Sequence, residues 1–373
     1  MQTRRLGRTG LTVGEIGLGT EYLLDSPAEA VADVVQTAVR ATESACYIDL
    51  LYNHDAFLHR FAPAVAPVRD RSVVAVHWGC GEKGGRLVNV RDQDVCRHFF
   101  ENVIHRPEIG YADVALLMMV DSLNEYRDWV PQALDALSDY RQRGLVHHLG
   151  ISTHVPEVGM AAVESGDFDV IMYPVNVSTR FVPGTDSLYR ACAEHDVALV
   201  AMKPYGGGRL LSRNTALSLH MVQSGGESLS MKKVATPKPM QLIDYVLAQP
   251  GVSTVVPGVR STKHLGDALA YVDAPAAKRS HAVLLETIRP HADGECVYCN
   301  HCQPCRAGID IAKVTRLYEQ AIAAQNPNRQ RRAYERLDTP GSACIECGDC
   351  VSRCPYHVDA PENMRAAASF FGS

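Results

Sequence analysis

The chain has 373 residues, of which 46% are hydrophobic and 21% charged, and its formal net charge is −5 at pH 7. This composition is typical of a globular protein. No long run of Lys and Arg is present, which argues against nucleic acid as a main partner, because phosphate contacts need clustered positive charge. The sequence also has no apolar stretch long enough to cross a bilayer and no apolar signal-peptide core at its start. We therefore expect a cytoplasmic protein without a membrane partner.

Eight short apolar runs alternate with amphipathic segments from the N-terminus to about residue 285. The runs are rich in Val, Ile and Leu and show little strict alternation, which is typical of strands buried on both faces of a parallel sheet. They begin at Glu15, Cys46, Ser72, Ala112, His147, Asp169, Val197 and Val252. Eight strand–helix units in about 270 residues predict an α/β fold, a parallel (β/α)8 TIM barrel. A doubly wound open sheet is the alternative. Its dinucleotide-binding form is weakened because no G-x-G-x-x-G follows the first run.

Two helix-like segments and one long connection can be placed between these runs. The segment from Ser122 has apolar residues at helical spacing and ends at Gly144, and the segment from Thr236 ends at Gly251. Residues 183–237 are long for one helix, one strand and one loop. In a barrel they would include an extended loop after the seventh strand, at the face where active sites are built. A disordered surface insertion is the alternative.

Two short bursts near the C-terminus contain eight of the twelve cysteines. The first burst repeats a cysteine every three residues, and the second does the same before it ends in C-x-x-x-C-P. Thiols stay reduced in the cytoplasm, so such bursts are interpreted as metal ligands. Three thiolates at this spacing suit three corners of a 4Fe–4S cluster, whereas zinc knuckles rarely place a third cysteine at the same interval. The pattern predicts iron–sulfur clusters in preference to zinc.

The spacing also predicts how the cysteines divide between two 4Fe–4S clusters. In two-cluster ferredoxins the fourth cysteine of each run ligates the other cluster. By that rule one cluster takes Cys296, Cys299, Cys302 and Cys354, and the other takes Cys344, Cys347, Cys350 and Cys305. A single cluster is the alternative, because Cys305 is three residues from its neighbour rather than four and is followed by Arg306 instead of proline. Helical segments from Ile311 and after Asp359 predict a small α-helical ferredoxin-like domain at 286–373, after a barrel domain at 1–285.

Three further segments carry a family resemblance. "RRLGRTGLTVGEIGLGT" from Arg4, "LGISTH" from Leu149 and "VVPGVRSTKHLGDAL" from Val255 resemble segments of the aldo/keto reductases. With its cysteine-rich tail, the whole chain resembles the aldo/keto reductase subfamily that carries a C-terminal 4Fe–4S ferredoxin-type domain. The resemblance implies carbonyl reduction with NADP(H). In this reaction a Tyr donates the proton, an Asp and a Lys adjust the pKa of that Tyr, and a His orients the carbonyl.

The catalytic residues implied by this resemblance are only partly retained. Asp49 and Tyr52 match, the family's lysine falls on His77, and its histidine falls on Met118. A histidine lowers the pKa of a tyrosine only while it is protonated, and a methionine donates no hydrogen bond to a carbonyl oxygen. Lys203, where the seventh strand meets a glycine-rich loop, is a further catalytic candidate.

The nucleotide site implied by the resemblance lacks two of the family's side chains at its nicotinamide end. The family's carboxamide-binding glutamine is Met172 here, and its stacking aromatic residue is Met202. The remaining NADP(H)-binding candidates are Ser152, Asn176, Pro257, Gly258, Arg260, Ser261 and His264. Since Met172 cannot hydrogen-bond a carboxamide, we expect weak NADP(H) binding or none.

The leading functional hypothesis is an iron–sulfur oxidoreductase that acts on a small carbonyl or hydroxyl substrate at the barrel mouth. Hydride transfer moves two electrons and a 4Fe–4S cluster normally passes one, so NADPH would need a flavin or a similar splitter to feed the clusters. A one-electron donor or acceptor protein is the other expected partner. Two alternatives stay open: a redox-neutral lyase or isomerase with structural clusters, and a non-catalytic electron-transfer subunit.

Overall fold

The computed structural model describes residues 1–83, 86–211, 236–287, 294, 296, 298, 302–322, 327–354 and 356–372. These residues divide into two compact units. The first contains the described residues up to 206 together with 236–287, and the second contains the rest. Cys299 and most of the predicted long loop, residues 212–235, lie outside the described residues. None of the described helices combines the length and the hydropathy needed to cross a bilayer.

The first unit is built on an eight-stranded parallel sheet. In chain order its strands and two small hairpins are β1 Thr3–Arg5, β2 Thr12–Gly14, β3 Leu18–Gly19, β4 Cys46–Leu50, β5 Ser72–Trp78, β6 Cys80–Lys83, β7 Arg86–Asn89, β8 Ala112–Leu117, β9 Val146–Ser152, β10 Val170–Pro174, β11 Ala198–Met202 and β12 Val252–Val256. The sheet order is β3-β4-β5-β8-β9-β10-β11-β12, while β1 pairs with β2 and β6 with β7, both antiparallel. Each predicted apolar run contains one strand of the sheet.

Backbone hydrogen bonds bring the two ends of this sheet together. The amide of Gly17 donates to the carbonyl of Val255 over 2.8 Å, and the amide of Gly19 donates to the carbonyl of Pro257 over 3.1 Å. The amide of Val255 donates in return to the carbonyl of Glu15 over 3.0 Å. The sheet is therefore a nearly closed barrel. The barrel prediction is confirmed and the open-sheet alternative is wrong.

Helices follow the strands of the barrel. They are α1 Ala28–Arg40, α2 Asp55–Val65, α3 Gln93–Ile104, α4 Leu123–Gln142, α5 Pro156–Ser165, α6 Thr185–Glu194, α7 Pro239–Leu247, α8 Thr262–Asp273, α9 Ala276–Arg279 and α10 Ala282–Thr287. The predicted start of α4 is confirmed, because the hydroxyl of Ser122 accepts a hydrogen bond from the amide of Glu125 over 3.1 Å. The helix ends two residues before Gly144, whose φ of 70° suits a glycine after a helix.

The barrel interior is packed with apolar side chains. This core consists of Leu6, Val13, Tyr47, Val73, Ala75, Val114, Leu116, Val170, Met172, Ala198, Val200 and Val256. The β1–β2 region contributes the first two of these residues, and the amide of Arg8 donates to the carbonyl of Asp196, just before β11 begins. The N-terminal hairpin thus covers the amino ends of the strands and leaves their carboxyl ends as the free rim.

The second unit is helical in its described residues. Its helices are α11 Ile311–Ile322, α12 Asn328–Tyr334, α13 Asp349–Ser352 and α14 Ala360–Phe371. The predicted helices from Ile311 and after Asp359 are present, and the side chain of Asp359 caps α14 by accepting from the amide of Glu362 over 3.0 Å. The ferredoxin-like character of this region and the domain boundary between 285 and 286 stay predictions.

The barrel closure generates a prediction about Gly17. A Cβ at this position would lie 2.4 Å from the carbonyl oxygen of Tyr47, whereas a Cβ at Gly266 in α8 would meet nothing within 4 Å. Gly17→Ala should lower the free energy of unfolding by about 1–3 kcal/mol, because the backbone must shift. The control Gly266→Ala should leave it unchanged or raise it by up to about 1 kcal/mol.

Tryptophan fluorescence during urea unfolding is the appropriate measurement for this pair. The chain has two tryptophans, and both, Trp78 and Trp129, lie in the first unit. Equal midpoints for the Gly17 and Gly266 variants would contradict the close approach at the closure.

Candidate functional site

The predicted catalytic and nucleotide-binding residues lie at the carboxyl ends of the barrel strands. Asp49 and His77 are each one residue before the end of their strands, β4 and β5, and Ser152 ends β9. Tyr52 and Lys203 follow β4 and β11. In a closed parallel barrel these ends share one rim, which is where barrel enzymes form their active sites.

Asp49 and His77 form a buried pair at this rim. The Nε2 atom of His77 lies 2.7 Å from Oδ1 of Asp49. The side chain of His77 is 2% exposed and that of Asp49 is 12% exposed. A carboxylate has only acceptor atoms, so the hydrogen of this contact is on Nε2, and in the neutral imidazole the lone pair is then on Nδ1. Nδ1 is buried and has no hydrogen-bond partner among the described residues.

Thr20, which directly follows β3, fixes the backbone around Asp49. Its hydroxyl donates to the carbonyl of Asp49 over 2.8 Å and accepts from the amide of Leu51 over 3.2 Å. Thr20 is fully buried. Thr20 therefore fixes the backbone at the end of β4 that carries the side chain of Asp49.

Tyr52 lies close to this pair in the sequence but forms no hydrogen bond with either member. Its side chain is largely buried, and its ring centroid lies 5.6 Å from that of His54 and 5.7 Å from that of Phe57. Burial, followed by the negative charge of Glu21, raises the pKa of Tyr52 well above its usual value. Tyr52 is therefore a protonated hydrogen-bond donor at neutral pH.

Two polar residues at the same rim were missed by the sequence reasoning. His54 is buried, and burial lowers its pKa, so the imidazole is neutral around pH 7. The side-chain amide of Asn53 donates from Nδ2 to the carbonyl of Cys80 over 2.7 Å. The available signal was their position, directly after Tyr52 at the end of an apolar run.

Cys80 is structural in its contacts. Its thiol is buried and donates to the carbonyl of Leu51 over 3.0 Å. Burial raises the pKa of Cys80, which keeps the sulfur protonated and makes it a poor nucleophile.

The end of β8 offers no side-chain donor at the position of the family's histidine. Met118 is buried, and Met119 has a φ of 48°. The guanidinium of Arg91 donates to the carbonyls of both methionines over 3.0 Å, and it stacks 4.3 Å from the ring centroid of Trp129. Arg91 thus stabilises the turn, while the thioether of Met118 provides neither a proton nor a hydrogen bond.

Two residues at the expected nicotinamide end, Met172 and Asn176, make contacts within the barrel unit. Met172 belongs to the barrel core. The side-chain oxygen of Asn176 accepts from the amides of Ser178 and Thr179 over 3.0 and 3.1 Å, and its Nδ2 donates to the carbonyl of Lys203 over 3.2 Å. Asn176 therefore fixes the loop after β10 and the backbone of Lys203, whose φ is 53°.

The expected phosphate end lies at the start of α8. Ser261 caps this helix, and its hydroxyl accepts from the amide of His264 over 3.4 Å. Arg260 and His264 are exposed. The guanidinium carbon of Arg260 lies 5.2 Å from the ring centroid of Tyr22, and that ring lies so close to Gly258 that a Cβ there would be 2.6 Å from it. A helix N-terminus with the cationic side chain of Arg260 beside it favours a phosphate.

One set of predicted cluster ligands lines a single recess in the second unit. Cys305, Cys344, Cys347 and Cys350 all contribute to its wall. Ile309, Ile311 and Met364 provide apolar parts of the same wall. Burial raises the pKa of the Cys350 thiol. This donor set fits a 4Fe–4S cluster, which takes one thiolate at each of four separate irons.

The other set of predicted ligands is described only in part. Cys296 and Cys354 pack against the same two residues, Tyr356 and Val358. Cys302 packs instead against the helical core, and Arg353 donates to its carbonyl over 3.0 Å. The fourth predicted ligand, Cys299, lies outside the described residues. Two of the four ligands are therefore neighbours of one apolar pair.

A site for a single metal ion requires side chains that converge on one point, unlike a cluster site. Within the described ranges, no group of three or more Cys, His, Asp or Glu side chains is gathered closely enough to hold one metal ion. Ligands of a four-iron cluster do not converge on one point, since each binds its own corner.

Known proteins resemble most of this chain. The protein YqkF of Bacillus subtilis, named an uncharacterized oxidoreductase, is 21% identical over 315 residues, which cover 78% of this chain and 96% of that protein. The holo structure of the aldo-keto reductase AKR11C1 from Bacillus halodurans aligns with a TM-score of 0.60 and 20% identity, over 78% of this chain and 98% of that one. A putative aldo-keto reductase from Pseudomonas aeruginosa aligns with a TM-score of 0.55 and 20% identity, over 72% of this chain and 96% of that one.

The structural likenesses are below 25% identity and concern the fold alone. The family model described as "Aldo/keto reductase family" matches residues 11–287, which is more than half of the chain and spans the whole parallel sheet from β3 to β12. The chain therefore belongs to the aldo/keto reductase family of oxidoreductases.

Proposed function

We propose that the protein is an iron–sulfur oxidoreductase of aldo/keto reductase type that acts on a small carbonyl or hydroxyl compound at the barrel mouth. The observation that carries this proposal is the recess in the second unit that four predicted cluster ligands line together, Cys305, Cys344, Cys347 and Cys350. Unrelated cysteines have no reason to share one wall. Their meeting in a chain that also carries a reductase barrel favours electron transfer as their role.

In the first unit, three side chains would handle the substrate proton. Tyr52 is protonated and suits the role of a hydrogen-bond donor to a substrate oxygen. His77 carries a lone pair on Nδ1 and accepts a proton there, and Asp49 orients the ring and stabilises the imidazolium that forms. Met118 contributes no polarising group, so the site differs from the family's lysine–histidine arrangement.

In the second unit, the two predicted ligand sets would each hold one 4Fe–4S cluster, which supplies one-electron transfer when bound. Backbone contacts hold the cysteine loops in place. The guanidinium of Arg209 donates to the carbonyl of Cys296 over 3.0 Å, and that of Arg353 donates to the carbonyls of Cys302 and Pro304, both over 3.0 Å. A one-electron donor or acceptor protein is the partner that this chemistry requires.

NADP(H) would bind mainly through its phosphates. Arg260, Ser261 and His264 keep the features of a phosphate site at the start of α8. The nicotinamide end lacks the family's usual hydrogen-bonding side chains, because Met172 is part of the core and the side-chain amide of Asn176 already bonds to the loop after β10 and to the carbonyl of Lys203. The proposal therefore includes weak NADP(H) binding.

The cluster proposal is tested by iron content. Anaerobically prepared protein should be brown and contain about eight irons per chain, four for each cluster. Cys305→Ser should lose about half of this iron, because one corner of the recess loses its thiolate. The matched control Cys192→Ser, in the barrel helix α6, should keep the wild-type amount.

Colourless protein with stoichiometric zinc would falsify the cluster proposal. About four irons in the wild type would favour a single cluster. In that case the cysteines of the recess, and not the set with Cys296 and Cys354, should be the ones whose replacement removes the iron.

A second prediction concerns the proton donor. Tyr52→Phe should reduce turnover about a hundredfold or more on a panel of aldehydes, ketones and their alcohols, because a positioned proton donor is lost. Iron content should not change. The control Tyr126→Phe, on α4, should keep the wild-type rate. An unchanged rate in the Tyr52 variant would move the chemistry to His77 and Lys203.

A third prediction concerns the nucleotide. Calorimetry should give a dissociation constant of about 100 μM or higher for NADPH, since only the phosphate end of the nucleotide would be bound. Arg260→Ala should weaken this binding about tenfold through the loss of a charged phosphate contact. Lys278→Ala, on the exposed helix α9, serves as the control. Micromolar NADPH affinity with rapid aldehyde reduction would show that an ordinary reductase mechanism operates.

A further inference from the structure

The strand ends of β4 and β5 carry two buried acceptor atoms whose chemical identity is fixed by hydrogen bonding. The first is Nδ1 of His77. Since the carboxylate of Asp49 accepts at 2.7 Å from Nε2, a hydrogen is on Nε2, and Nδ1 of the neutral imidazole presents a lone pair. A buried acceptor without a partner costs about 1–3 kcal/mol, so an occupant with a donor hydrogen is favoured at this atom.

The second acceptor is Oδ1 of Asn53. The carbonyl of Cys80 can only accept, so the side-chain atom that faces it at 2.7 Å must be Nδ2. This contact orients the amide and leaves Oδ1 as the remaining polar atom. Oδ1 is buried and, in the part of the chain that the structure describes, has no hydrogen-bond partner. Asn53 as a whole is 1% exposed.

The two acceptors belong to one small region of the rim. Strands β4 and β5 are paired in parallel, with Leu50 opposite Val76. Asn53 lies three residues beyond this pair on one side, and His77 lies one residue beyond it on the other. Cys80 connects the two strand ends, because its thiol donates to the carbonyl of Leu51 and its carbonyl accepts from Asn53.

This polarity decides between the two forms of the substrate. A carbonyl oxygen is only an acceptor, so it finds no donor at His77 or Asn53, and Met118 adds none. A hydroxyl group both donates and accepts. It can donate to an acceptor such as Nδ1 of His77, and its oxygen remains able to accept from a donor at the same rim such as the protonated Tyr52.

We propose that the barrel mouth recognises the hydroxyl form of its substrate, an alcohol or polyol, through Nδ1 of His77 and Oδ1 of Asn53. The inference rests on the proposed assignment of the barrel mouth as the substrate site. It names His77 as the proton acceptor and Asn53 as a specificity-determining residue. When the substrate O–H bond breaks, the proton moves to Nδ1, and the imidazolium is stabilised by Asp49. This step moves one proton and no electrons.

Nitrogen-15 NMR of histidine-labelled full-length protein tests this assignment. The His77 signals are identified by their absence in His77→Gln. The expected result is an Nε2–H tautomer with an unprotonated Nδ1. Two isosteric pairs serve as probes, 2-propanol with acetone and cyclohexanol with cyclohexanone. The alcohols should shift the Nδ1 resonance and bind at least about fivefold more tightly than the matching ketones.

The variant Asp49→Asn is a second test of the hydrogen bond between Asp49 and His77 that sets the tautomer. An asparagine at this position can donate as well as accept, so it releases the constraint on the tautomer. The Nδ1–H form should become populated, and the preference for alcohols over ketones should fall. Asn53→Ser, which shortens the second acceptor, should weaken alcohol binding without changing the tautomer of His77.

Three outcomes would overturn the inference. The first is an Nδ1–H tautomer in the wild type. The second is equal or tighter binding of the ketones. The third is an Nδ1 resonance that responds to none of the probes, which would assign this atom to an internal water. The NMR signals of His77 do not depend on iron content, so failure of the hydroxyl assignment is distinguishable from failure of the cluster proposal.

Discussion

Backbone hydrogen bonds between residues 15–19 and the last strand, β12, close the sheet, and the geometry of the first unit depends on this closure. Closure turns eight separate strand ends into one rim. It brings the carboxyl ends of β4 and β5, with Asp49 and His77, onto the same rim as the start of α8, where Arg260 and Ser261 lie. Gly17 is required at the seam because the carbonyl of Tyr47 leaves no space for a side chain.

His77 stands where the resemblance places the family's lysine. This difference changes which hydrogen-bond donors and acceptors the site offers. A lysine ammonium near a tyrosine would lower the pKa of its hydroxyl. Here burial acts in the opposite direction and raises the pKa of Tyr52, while Asp49 directs the donor hydrogen of His77 away from Nδ1. The result is a protonated Tyr52 and two buried acceptors, Nδ1 of His77 and Oδ1 of Asn53, that have no hydrogen-bond partner among the described residues. A site of this kind matches the alcohol form of a substrate, and the cysteine-lined recess of the second unit gives the proposed enzyme a route for one electron at a time.

Features that depend on local pattern could be predicted from the sequence, and features that depend on distant hydrogen bonds could not. The barrel strands appear as short apolar runs because both of their faces are buried. The two-cluster ferredoxin rule grouped Cys305 with Cys344, Cys347 and Cys350, and these four cysteines line one recess, while their role as cluster ligands stays a prediction. In contrast, the engagement of Asn176 by Lys203, and the orientation of Asn53 by Cys80, involve partners 27 residues away in the chain. Polar residues after a strand, such as His54, look the same whether they face solvent or the interior.

We propose that the second unit carries 4Fe–4S clusters on the predicted cysteines. Mössbauer spectroscopy of anaerobically prepared protein enriched in iron-57 tests this claim most directly, because it identifies the type of iron centre as well as its presence. We expect the iron signal to belong to four-iron clusters, and we expect the share due to the recess to disappear in Cys350→Ser. Mononuclear iron, two-iron clusters or an iron-free protein with bound zinc would contradict it.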